Sequence, residues 1–193
     1  MQMARGQQVD AEEVLRRSRR GRRNTSVRSC TRSPRSARCG AARWSSLCEK
    51  WYGSHEAMFA AAQEPGFDAP PGSGVTMLPL LAHFEYAMRE YCWGKVTRDG
   101  LISSRRYFQR PAVQRELDDC VTRWRSPGVP AHTQALTCEN WLAVAYALSG
   151  RRDECKAVFE RIGPYAASHV WGYFFGAVSG GFIANWRWAN RVR

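Results

Sequence analysis

Thr137 to Pro164, TCENWLAVAYALSGRRDECKAVFERIGP, constrains this chain more than any other stretch. Trp141, Val144, Ala145 and Leu148 fall at i, i+3, i+4 and i+7, one apolar stripe of an α-helix. After Gly150-Arg151-Arg152 the spacing returns in Cys155, Val158, Phe159 and Ile162. Thr137 is placed to cap the first helix, with Glu139 in its first turn. Gly150 ends that helix, Asp153 and Glu154 open the next, and Gly163-Pro164 stop it. The pattern predicts an antiparallel helical hairpin.

Such a hairpin cannot cover both of its own faces, so neighbouring segments must supply helices. Several have the required pattern. Ser54 is a natural N-cap for a short helix from His55 to Gln63, with Met58, Phe59 and Ala62 on one side. Glu64 to Gly74 holds three Pro and three Gly in eleven residues and reads as a loop. Thr76 then caps a helix in which Met77, Leu81, Phe84, Met88 and Tyr91 alternate steps of four and three. Leu78, Leu80 and Ala87 widen that face, and Pro79 sits in the first turn, where a missing N–H is harmless. So broad an apolar surface predicts the central helix of the fold. Gly94 to Ser104 reads as a turn-rich connection, with one helical turn at Ser104 to Gln109.

Pro111 starts a helix that buries Val113, Leu117, Cys120, Val121 and Trp124. Arg115, Glu116, Asp118, Asp119 and Arg123 are expected to face water. His169 to Trp186 carries no Asp, Glu, Lys or Arg and has Gly172, Gly176 and Gly180 at four-residue intervals. A membrane span would be short and interrupted by polar groups and Gly. A closing pair of helices, Val170–Ala177 and Phe182–Arg191, is the expected reading, with no membrane contact.

Upstream, Val9 to Arg20 has the charge order of a short helix, and Leu47 to Trp51 looks like the end of another. Gly21 to Arg43 offers almost no large apolar residue, so it cannot offset its ordering entropy. Residues 1–43 are therefore expected to be a disordered or non-native extension, and 44–193 an all-α domain.

Charge follows the same division. The chain has 29 Lys and Arg against 17 Asp and Glu. By position, residues 1–50 carry 12 Arg and one Lys against four acids, a net of +9. The rest of the chain is nearly neutral, and its net charge does not call for a nucleic-acid partner; such a partner, the alternative reading, would be held only by the N-terminal arm. That arm lacks the interleaved aromatics of a stacking platform. Only three Lys occur, which is the mark of GC-rich codons as much as of phosphate contacts. Seven Cys, an odd number with no apolar leader ahead of them, fit a reduced cytoplasmic setting in which thiols act as small buried groups.

Two resemblances add to this reading. Leu142, Ala143, Tyr146, Gly150, Cys155 and Phe159 stand where a tetratricopeptide repeat has its large-small-aromatic set, its turn Gly and its second-helix pair. Trp141 lies two places later than the usual aromatic, and Pro164 comes early. LCEKWYGSHEAMFAAA at Leu47–Ala62, the Ala69-Pro-Pro-Gly-Ser73 loop and Leu81-Ala-His-Phe-Glu85 resemble an uncharacterised bacterial domain of unknown function, helical and tetratricopeptide-repeat-like (4034-type). That resemblance implies an all-α array of antiparallel hairpins and supplies no catalytic residue. It further implies an Arg-rich start that is a truncation or a frame artefact.

Chemical motifs are sparse. The chain has no GxGxxG, P-loop or GxSxG pattern. His55-Glu56 begins like a zincin motif, but Phe59 stands where the second His belongs. Cys30, Cys39 and Cys48 are spaced too widely for a zinc knuckle. His55, Glu56, His83 and Glu85 form the remaining acid-base or metal group, yet two residues of helix turn His83 and Glu85 about 200° apart. A hydrogen bond at the edge of the core is the expected role for His83. The chain is thus read as non-catalytic, with no cofactor or metal, binding a protein or peptide along the first helix of the hairpin. Thr137, Asn140, Val144 and Ala147 are its candidate groove, Asn140 gripping the ligand backbone through its amide.

Overall fold

The structure, a computed structural model, describes residues 53–127 and 134–191. Among these residues are eight α-helices and one 3₁₀ turn, with no strand, as the periodicities predict. The arm 1–43, its boundary with 44–193, the helix expected at 9–20 and Leu47–Trp51 lie outside the described residues.

Helix α1 (His55–Asp68) is capped by Ser54, whose hydroxyl accepts from Ala57 N at 3.1 Å. It runs on through Pro65 into the stretch expected to be a loop. Arg123 supports the extension: its guanidinium donates to the carbonyls of Phe67 and Ala69, which the C-terminus of the helix leaves without intrahelical partners. The 3₁₀ turn Gly74–Met77 is capped by Ser73. Thr76 is no helix cap; it is buried, and its hydroxyl donates to Ser73 O at 2.7 Å.

Helix α2 (Leu78–Tyr91) begins with Pro79 in its first turn. Its innermost line is Leu80, His83, Phe84 and Ala87, rotated from the stripe through Leu81 and Met88, which are only half-buried. Residues 94–104 are not an open connection. Helix α3 (Arg98–Phe108) starts there, capped by the Thr97 hydroxyl, which accepts from Gly100 N. A Cβ on Gly100 would come within 2.3 Å of the Tyr91 carbonyl, so glycine alone lets α3 approach the end of α2. Helix α4 (Pro111–Arg125) buries Val113, Leu117, Cys120 and Trp124 as expected, and Glu116 with them, against expectation.

Helix α5 (Ala135–Ser149) starts two residues ahead of Thr137, which lies within it and caps nothing. Every residue from Leu142 to Ser149 is buried, so what reads as one stripe is a helix enclosed all round. It packs on α3, α4 and the 3₁₀ turn on one side, and on the helices that follow on the other. This helix, rather than α2, is the centre of the fold. Gly150 ends it in the left-handed conformation at φ 79°.

Helix α6 (Arg152–Ile162) returns alongside it and stops at Gly163. Cys155 Sγ lies 3.4 Å from Ala143 O, and Arg161 Nε 3.1 Å from the Glu139 carboxylate; one index rises as the other falls, which is antiparallel packing. Helices α7 (Ser168–Phe175) and α8 (Val178–Asn190) fold over the pair as the expected closing helices. Trp171 stacks on Phe159 at 5.7 Å, and Phe182 meets both rings edge-on. No helix among the described residues is long and apolar enough to cross a membrane.

Candidate functional site

Two sets of buried polar side chains stand out in this interior. The first crosses α1 to α4. His83, wholly buried, has Nδ1 2.7 Å from the Tyr107 hydroxyl and Nε2 3.2 Å from Glu116 Oε2. Gln63 Nε2 donates to Glu116 Oε1 at 3.4 Å, so Gln63, Glu116, His83 and Tyr107 form one chain with a link from each helix. Burial pushes the Tyr107 phenol well above its ordinary value, reinforced by Tyr86, Tyr91 and the Glu116 carboxylate. The phenol thus keeps its hydrogen, and His83 bridges it to the Glu116 carboxyl through its two ring nitrogens. Stacked against Tyr107 is Tyr86, at 4.9 Å, with its phenol likewise pushed up, first by burial.

This chain accounts for Glu116. A carboxylate is tolerated in a core when donors surround it, and His83 and Gln63 provide them. A small recess beside Glu116, lined also by Thr76, Pro79 and Cys120, has room for about one water molecule.

The acid-base group weighed in the sequence is not assembled. His55 Nε2 lies 2.9 Å from Glu90, and its ring packs 4.7 Å from Tyr86; Glu56 points to solvent. His83 finds Tyr107 and Glu116 on other helices, while Glu85 is half-buried on a different side of α2. His83 is a core hydrogen-bonding residue. Among the described residues no group of three or more His, Cys, Asp or Glu is placed to hold a metal. Cys92, Cys120, Cys138 and Cys155 are buried free thiols. Burial pushes Cys120, Cys138 and Cys155 each up to about 12, far from the thiolate range that reactivity requires.

Asn140 makes the second polar set, and here the expected groove fails. Asn140 and Val144 are wholly buried, Ala147 is 7% exposed, and Thr137 is half-buried. Asn140 Oδ1 accepts from Trp171 Nε1 at 2.7 Å and from Ala167 N at 3.0 Å. Its Nδ2 donates to Leu136 O at 2.8 Å and to Tyr165 O at 3.2 Å. The amide does grip backbone, but that of its own chain. Helix α7 and the segment before it occupy the face that a peptide would have needed.

Beside this hub Leu136 is 41% and Tyr165 65% exposed, although Asn140 holds the backbone carbonyls of both. Glu139, one turn from Leu136, receives Trp124 Nε1, Arg125 and Arg161, tying α4, α5 and α6 together. Other exposed large apolar residues are Trp93, Ile102, Ile183 and Trp186. The sequence signalled none of these as a group, because exposure of an apolar side chain depends on what fails to cover it. Comparison with family models, with curated proteins and with solved structures finds no match.

Proposed function

We propose that the chain is a non-catalytic helical scaffold that binds a protein or peptide partner in the cytoplasm. The tetratricopeptide-like residues of α5 and α6, and the likeness of Leu47–Glu85 to an uncharacterised bacterial helical domain, support that class. The observation that carries the reading is the Leu136–Tyr165 pair. Two large apolar side chains are presented to solvent on backbone that Asn140 holds rigidly, and a rigid aromatic anchor loses little entropy on binding. The engagement of His83, Tyr107 and Glu116 with one another in the core supports a role without catalysis.

A peptide-display selection on the full chain tests this. Selected peptides are expected to lose affinity by about tenfold or more on Tyr165→Ala with Leu136→Ala. Peptides that bind that variant as well as the parent, or a selection that enriches none, would remove the reading. The net of +9 in residues 1–50 favours a second one, nucleic-acid association through the Arg-rich arm. Deleting residues 1–43 should then abolish low-salt binding to DNA or RNA; unchanged binding would end that idea.

A further inference from the structure

The near-neutral total of the helical body conceals an uneven surface. On α3, Arg98, Ile102, Arg105 and Arg106 project within about a quarter of the helix circumference, opposite the buried Gly100, Ser104, Tyr107 and Phe108. All four outward residues are exposed, as are Trp93 and Lys95 in the turn from α2. Among the described residues none of Lys95, Arg98, Arg105 and Arg106 enters an ion pair, whereas Arg125, Arg151 and Arg161 all do. The acids closest in sequence are Asp99, at the edge of the face, Glu90, which is held by His55, and Glu85, one helical turn before Arg89. Trp93 is 56% exposed, and the Arg89 guanidinium lies 4.7 Å from its ring centroid, so one face of the indole is backed by a cation and the ring remains open to solvent.

We propose that this ridge, the α2–α3 turn with the outward face of α3, binds single-stranded nucleic acid. Trp93 stacks on a base, and Lys95, Arg98, Arg105 and Arg106 contact phosphates. Arg98 and Arg105 are separated by about 10 Å along the helix, a span that reaches more than one phosphate of a strand. Anionic membrane is the weaker fit. Interfacial helices insert a continuous apolar face, and the apolar face of α3 is spent on the core, leaving Ile102 alone outside. The inference stands apart from the peptide-binding reading and from the arm, since every residue it uses lies in the helical body.

The test is fluorescence anisotropy of a labelled oligothymidylate with the full chain over a salt series, alongside a duplex of equal length. Three variants are compared: Trp93→Ala, the ridge triple Arg98→Gln, Arg105→Gln, Arg106→Gln, and a charge-matched arm triple Arg19→Gln, Arg20→Gln, Arg22→Gln. Trp93→Ala is expected to weaken single-strand binding on the order of tenfold without changing the salt slope, and to spare the duplex. The ridge triple should reduce the slope of log K against log salt by about 2. Absence of low-salt binding by the parent, a silent Trp93→Ala, or a silent ridge triple would each overturn the proposal. Co-sedimentation with phosphatidylserine vesicles is run in parallel. A ridge triple that loses vesicles while keeping the oligonucleotide would assign the face to membrane instead.

Discussion

Helices α1 to α4 meet on a chain of four side chains, Gln63, Glu116, His83 and Tyr107, each contributed by a different helix. Around the hairpin the same task falls to one residue, Asn140, whose amide serves Trp171, Ala167, Leu136 and Tyr165. A distributed chain shares its burden, and losing one link leaves the neighbours to rearrange. A single hub has no substitute. The chain also contains ionisable groups and the hub contains none, so pH and point mutation should act differently on the two regions.

The largest effect is expected at the hub. Asn140→Ala leaves the buried Trp171 indole N–H, the Ala167 N–H and the Tyr165 carbonyl without this partner, a loss of about 4 kcal/mol in urea unfolding. Alkylation mapped by mass spectrometry should then label Cys138 and Cys155 at lower urea than Cys120. Equal labelling of all three would mean that the two regions open as one. Next is Glu116→Ala, which removes the acceptor of His83 and Gln63 and should cost about 3 kcal/mol. Adding His83→Leu to it should cost about 1–2 kcal/mol less than the two single losses predict, because the pair fails together. Strict additivity in that double-mutant cycle would show that the chain is no chain.

Alkali gives a smaller contrast. Tyr86, Tyr91 and Tyr107 all have phenols held above their ordinary value, first by burial. A folded-state value raised in this way means stability is full below about pH 10 and falls as pH climbs, because the unfolded chain ionises first. Ultraviolet titration should show these tyrosines ionising together with loss of α1–α4 helicity; free titration before unfolding would contradict their burial. The smallest change is expected at Asp118, 55% exposed and paired with Arg151, where Asp118→Ala should alter stability by less than about 0.5 kcal/mol.

The hairpin was legible in the sequence because large apolar side chains mark its period and Gly150 and Gly163 mark its ends. Helix α3 was not, because its inward positions include Gly100 and Ser104, residues too small to register as an apolar stripe. The extension of α1 past Pro65 was hidden for another reason, since it is supported by Arg123, 56 residues beyond the carbonyl of Phe67 that it holds. The polar interior was readable by residue but not by partner. His83 and Asn140 both drew notice, yet Glu116 has the spacing of a solvent-facing carboxylate, and only tertiary packing brings Gln63 and His83 to it. The groove assignment failed likewise: nothing in the spacing of α5 reveals that α7 lies across it.

The missing methyl group of Gly100 has an effect beyond the contact that demands it. Because the two backbones touch there, the angle at which α3 leaves α2 is set by main chain against main chain, which has no rotamers through which to adjust. The arginines on the outer side of α3 therefore inherit a fixed direction from a position that itself bears no side chain. In a mutational scan for stability, tolerance should drop abruptly at this one site, in contrast to the exposed Arg98 and Asp99 just ahead of it.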